Sequence, residues 1–98
     1  MDVFHGEGAE LLVRSILAIE TEAECRAFLE DLMTNKEIQD CSQRILVAKL
    51  LREKQVYSAI AAGVGASTAT ISRVNRCYNY GTGGYAAVLD RILPPPEQ

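Results

Sequence analysis

One histidine, His5, and three scattered cysteines, Cys25, Cys41 and Cys77, are all the thiol and imidazole the chain carries. The cysteine number is odd and no Cys-x-x-Cys pair occurs, so neither a disulfide framework nor a tetrahedral zinc site finds its ligands. The thiols read as small buried or half-buried side chains. A Cys–His nucleophilic pair would have to draw its base from an N-terminal end, where chains fray, and is discarded. No metal and no cofactor is expected. Long hydrophobic runs are missing too. The apolar stretch "LLVRSILAI" is broken by Arg14 and is about half the length a membrane span needs, and no positive segment precedes it as in a signal peptide. A cytoplasmic protein with no membrane contact is expected. Low-complexity tracts are also absent, which argues against wholesale disorder.

What is present fits one small folded domain: 98 residues, 48% hydrophobic and 23% charged. A domain this short buries a modest share of its surface, so a partner subunit would help it. The net charge of −3 conceals a division along the chain. Residues 1–40 hold ten acids and three bases, −7; residues 41–80 hold Arg44, Lys49, Arg52, Lys54, Arg73 and Arg76 against Glu53 alone, +5. Such asymmetry fits a polyanion-facing surface, and a solvated basic helix face would look similar.

Apolar residues recur at three and four, and nothing alternates in twos for long, so the expected class is all-α. "AELLVRSILAIE", Ala9 to Glu20, is apolar on nearly every side, as in a helix enclosed by neighbours or subunits. Thr21 and Glu24 form a capping box ahead of Cys25, Phe28, Leu29 and Leu32, giving a second helix over about 22–33. Thr34 and Glu37 repeat the device before a third helix to about Lys54, whose apolar arc is wide. Two such helices in so short a chain carry more apolar surface than one subunit covers, hence an expected homodimer. Gly81, Gly83 and Gly84 in "YNYGTGGY" end a helix rather than cradle phosphate, since no strand precedes them. Tyr85, Val88, Leu89 and Ile92 line one face of a closing helix that Pro94, Pro95 and Pro96 stop. The organisation expected is one domain over 1–98: dimerisation helices at 9–55, a helix-turn-helix at 56–80, a closing helix at 84–93 and a tail at 94–98.

Tyr57 to Arg76 satisfies the helix-turn-helix pattern at several positions together. Ile60, Val64, Ile71 and Val74 fall where two short helices pack; Ala61 sits at their close approach; Gly65 occupies the turn, where positive φ is wanted. The small residues that follow then make sense. A recognition helix enters the major groove by its first turn, and bulky side chains there would hold it off the bases. Ser67, Thr68, Ala69 and Ser72 are short enough to approach; their methyls and hydroxyls suit thymine methyls, base edges or phosphate. Arg73 and Arg76, three apart, suit phosphate or a bidentate contact to guanine. Tyr57 and Ser58 could reach the backbone, and Ser67 is equally placed to cap the second helix.

"LLREKQVYSAIAAGVGASTATISR", Leu50 to Arg73, resembles the corresponding segment of the tryptophan repressor, and the likeness extends over roughly residues 9–93. The run "ASTATISRVNRCYNYG", with "CRAFLEDL" upstream, is most similar to the YerC/YecD branch of Trp repressor-related proteins. The resemblance implies an intertwined all-helical homodimer whose two heads bind successive major grooves of double-stranded DNA. Thr68, Ala69, Thr70 and Ser72 match the repressor's contacting stretch, and Arg73 matches the arginine that helps hold its corepressor. Ser58 and Ala61 stand where the repressor has longer basic contact residues. The effector pocket departs further: Gln43 aligns with the arginine that stacks on the indole, Arg44 lies one residue or about 100° of helix away, and Val74 replaces a pocket glycine. A degenerate pocket of Gln43, Arg44, Arg73 and Val74 therefore results, with tryptophan not expected as corepressor.

The leading expectation is a dimeric, sequence-specific DNA-binding transcriptional regulator, more easily a repressor than an activator, because occupying DNA suffices to block transcription. The competing reading is a helical protein-interaction module without direct DNA binding. Salt separates the two, since counterions compete with DNA contacts and not with an apolar interface. An enzyme has little to work with: Asp31, Glu37 and Asp40 fall on caps and solvent faces, and no nucleophile has a base.

Overall fold

The computed structural model describes residues 3–96; the last two residues of the expected tail, 97–98, lie outside the described residues. Those described form six helices and no strand. They fall into two compact units, residues 1–35 and 36–98, each with its own architecture.

The first unit holds α1, Glu7–Ala18, and α2, Glu22–Leu32. Glu7 and Glu10 favour the first turn of α1 by complementing the helix dipole. The expected capping box opens α2: the Glu24 N–H donates to Thr21 Oγ1 at 3.1 Å. The Glu24 carboxylate reaches one residue further back than anticipated and accepts from the Glu20 N–H at 3.0 Å. No residue of α1 is buried within the chain. Leu17 is 79% exposed and Ile16 51%.

The second unit is built from nearly all of α3, Asn35–Arg52, with α4, Tyr57–Val64, α5, Thr68–Tyr80, and α6, Gly84–Ile92. Its core takes Val47 and Ala48 from α3, Ile60 from α4, Ala66 from the turn, Ile71 and Val74 from α5, and Leu89 from α6. Leu50, Leu51, Ala61, Val64 and Tyr78 pack around them. Each large apolar side chain so enclosed contributes about 1.5–3 kcal/mol, enough in sum to hold four short helices that would not persist alone. The C-terminal half of α3, read as part of a dimerisation region, thus supports the helix-turn-helix within the same chain.

Backbone geometry fixes the turns. Gly65 ends α4 with φ 68°, its N–H bonded to the Ala61 carbonyl at 2.9 Å. Only glycine adopts that region without a Cβ penalty. Gly81 ends α5, where a Cβ would collide with the Cys77 carbonyl. At the end of α3 the Gln55 N–H bonds Leu50 O and the Lys54 N–H bonds Leu51 O, both at 3.0 Å. This is a Schellman closure with Lys54, φ 65°, in the left-handed position.

The closing helix presents Tyr85, Val88, Leu89 and Ile92 on one face, as expected, and that face is only partly covered. Leu89 is buried and Tyr85 half-buried, whereas Val88 and Ile92 are exposed. They border an apolar groove of about 420 Å³ with Ile45, Cys77, Tyr85 and Leu89. α6 is also tied to α3 by charge: Arg52 Nε donates to Asp90 Oδ1 at 2.9 Å, with the Arg52 side chain 6% exposed. Removing Asp90 strands a buried guanidinium. Asp90→Ala is therefore expected to destabilise the protein by about 1–2 kcal/mol in urea unfolding, and Arg52→Met/Asp90→Ala to recover most of that loss.

Candidate nucleic-acid interface

The first turn of α5 is held by its own hydroxyls. Ser67 is the N-cap: its Oγ accepts from the Thr70 N–H at 3.1 Å and donates to Thr70 Oγ1 at 3.0 Å. Thr70 is half-buried. Of the short residues named from sequence, Ser67 and Thr70 are thus engaged with each other, whereas Thr68, Ala69 and Ser72 are exposed.

Helical spacing sets the rest. Ile71, Val74 and Tyr78 turn toward the core, which leaves Ala69, Ser72, Arg73 and Arg76 on the opposite face. Arg73 and Arg76 are exposed and enter no ion pair among the described residues. Tyr80, 85% exposed, shares this face and was not anticipated from the sequence pattern. Tyr57, 39% exposed, and Ser58 open α4 on the surface. From Lys54 to Leu89 the chain contains no carboxylate at all. Small, hydroxyl and guanidinium groups thus meet on a helix whose opposite face is clamped by the core, an arrangement suited to close approach to a polyanion.

The residues named for an effector pocket are not equivalent. Val74, 1% exposed, belongs to the core. Gln43 and Arg44 are half-buried on α3, and Arg73 is exposed on α5. Arg44 and Arg73 both act electrostatically on the phenol of Tyr85. Tyr85 packs against the core and lines the groove with Ile45 and Cys77. Sequence spacing had marked Tyr85 only as a packing residue. Burial pushes its phenol above the ordinary value, Cys77 and Cys41 act in the same direction, and the two arginines pull against them.

Within the second unit, α4 and α5 joined by the left-handed Gly65, with a small, basic outer face on α5, form a helix-turn-helix. The model of the Trp repressor protein family matches residues 7–93, and the chain belongs to that family. It is 47% identical over 92 residues to the uncharacterized protein YerC of Bacillus subtilis (strain 168), covering 94% of this chain and 88% of that protein. The crystal structure of a TrpR-like protein from Eubacterium eligens ATCC 27750 superposes with a TM-score of 0.85 at 47% identity, covering 91% of this chain and 92% of that one.

The raised Tyr85 value has a direct consequence. The fold favours the neutral phenol, so the folded state keeps its proton at pH values where the unfolded chain has lost it. That contribution to stability is complete below about pH 10 and is lost as pH rises through the folded value. Ultraviolet titration is expected to show one late-ionising tyrosine, absent in Tyr85→Phe, and urea unfolding of that variant should depend less on pH above 10.

Proposed function

We propose that the protein is a dimeric, sequence-specific DNA-binding transcriptional regulator, most simply a repressor, that reads the major groove with α5. The observation that carries this reading is the outer face of α5: Ala69, Ser72, Arg73 and Arg76 make no side-chain hydrogen bond or ion pair among the described residues and stand in a carboxylate-free stretch of the chain. Membership of the Trp repressor family supports it. Thr68, Ala69 and Ser72 approach base edges, Arg73 and Arg76 bind phosphate or guanine, and Tyr57 and Ser58 meet the backbone. Ser67 and Thr70 act mainly by holding the first turn in shape, with phosphate contact secondary.

A second copy of the chain supplies the missing cover for the apolar surface. Leu11, Val13, Ile16 and Leu17 of α1 are exposed, as are Ile45 and Leu46 of α3 and Val88 and Ile92 of α6. Exposed apolar side chains of this kind suit a protein–protein interface. A two-fold dimer sets two α5 helices on successive major grooves about 34 Å apart, so the operator is pseudo-palindromic. Tryptophan is not expected as its corepressor, because Val74 and Gln43 stand where the resemblance places a pocket glycine and the arginine that stacks on the indole. The groove beside α6 could take an unrelated apolar partner, and that reading predicts salt-insensitive binding.

Two results test the proposal. Arg73→Ala/Arg76→Ala is expected to retain its circular dichroism and thermal midpoint while losing at least about tenfold in affinity for a selected operator duplex; an unchanged affinity removes the arginines from the interface. Sedimentation equilibrium at micromolar concentration should give twice the chain mass, and Leu17→Asp should shift the protein toward monomer; a monomeric parent contradicts the dimer.

A further inference from the structure

Three bases lie at the end of α3 and just beyond it, and two are spoken for. Lys49 pairs with Glu53 at 2.9 Å, and Arg52 pairs with Asp90 at 2.9 Å. Lys54 is exposed and makes no ion pair among the described residues. Its backbone is also out of the ordinary. At φ 65° it is the one non-glycine residue among those described in the left-handed region. The position is the C′ site of a Schellman closure, where glycine is the usual occupant, because a Cβ there is unfavourable. The two hydrogen bonds of that closure pin the residue from both sides. Glycine would serve the turn better, so the lysine side chain is what the turn gains by its choice.

The surroundings say where the side chain can act. Lys54 lies three residues before Tyr57, where α4 begins. It lines a cleft of about 360 Å³ that includes Asn75 and Asn79 on the flank of α5. Asn79 Nδ2 donates to Asn75 Oδ1 at 2.8 Å, so these amides satisfy each other. Asp90 lines the same cleft, but its carboxylate is held by Arg52. By helical spacing Asn75 and Asn79 lie between the core face and the exposed face of α5. When a helix enters the major groove, the phosphate backbones run along its flanks.

We propose that Lys54 is a phosphate-binding residue, set by the left-handed turn between α3 and α4 to fix how the helix-turn-helix sits on duplex DNA. This rests on the DNA-binding reading given above. The contact carries no base sequence information; it sets register and strengthens binding to every duplex by a similar factor.

The test compares the parent protein with Lys54→Gly and Lys54→Arg on a selected operator and on a scrambled duplex, by fluorescence anisotropy across a salt series. Lys54→Gly should raise the thermal midpoint by about 2–5 °C, because the strain is gone. The same variant should bind both duplexes about threefold to tenfold more weakly, and the slope of log K against log salt should become shallower by about 0.9 for each phosphate no longer neutralised. Lys54→Arg should keep the affinity and the slope of the parent. A Lys54→Gly protein that is more stable and binds with unchanged affinity and slope overturns the proposal while leaving the DNA-binding reading intact. A parent that binds neither duplex even at low salt overturns both.

Discussion

The orientation of α5 depends on one packing arrangement: Ile60 of α4 against Ile71 and Val74 of α5, closed beneath by Val47 and Ala48 of α3. Within a close-packed core the loss of even one methylene is felt, because the neighbours relax only in part. Gly65 makes that arrangement possible by turning the chain in a left-handed conformation. Leu89 and the Arg52–Asp90 pair then fasten α6 to the same assembly. Everything placed on the outside of α5 inherits its position from these contacts. The small exposed residues of the helix gain their meaning from the rigidity behind them.

A second theme is how the polar groups divide between structural and uncommitted roles. Lys49 and Arg52 serve the fold through carboxylate partners, as Ser67 and Thr70 serve the first turn of α5. Arg73, Arg76, Thr68 and Ser72 make no side-chain hydrogen bond or ion pair among the described residues. The net charge of −3 conceals this, because the acids concentrate in residues 1–40 and the stretch from Lys54 to Leu89 has none. Local charge near the proposed interface, rather than the total, governs attraction to a polyanion within the Debye length of about 8–10 Å.

Much of this was legible in the amino-acid pattern, and the exceptions have physical causes. Capping signals at Thr21 and Ser67, and the glycine at 65, act through neighbouring backbone groups, so sequence alone locates them. The first helix ends at Ala18 rather than Glu20 because the Glu20 N–H is taken by the Glu24 carboxylate opening the next helix. The third ends at Arg52 rather than Lys54 because the chain closes with a left-handed lysine, where pattern reasoning looks for glycine. Tyr85 near Arg44 and Arg73 depends on how helices are set in space, which periodicity within one helix does not encode, whereas Tyr80 shares a face with Arg73 and Arg76 by spacing within α5 alone. Likewise the apolar surface of α1 was evident from its composition, whereas its exposure within a single chain emerged only in three dimensions.

The central claim is that this chain reads duplex DNA through α5. Its most direct test is selection of bound duplexes from a randomised pool by the full-length protein, followed by measurement of the winning sequence at two salt concentrations. The account predicts a two-fold symmetric consensus with half-sites one helical turn apart, bound less tightly at the higher salt. Recovery of no enriched sequence, together with no binding to any duplex at low salt, would contradict it.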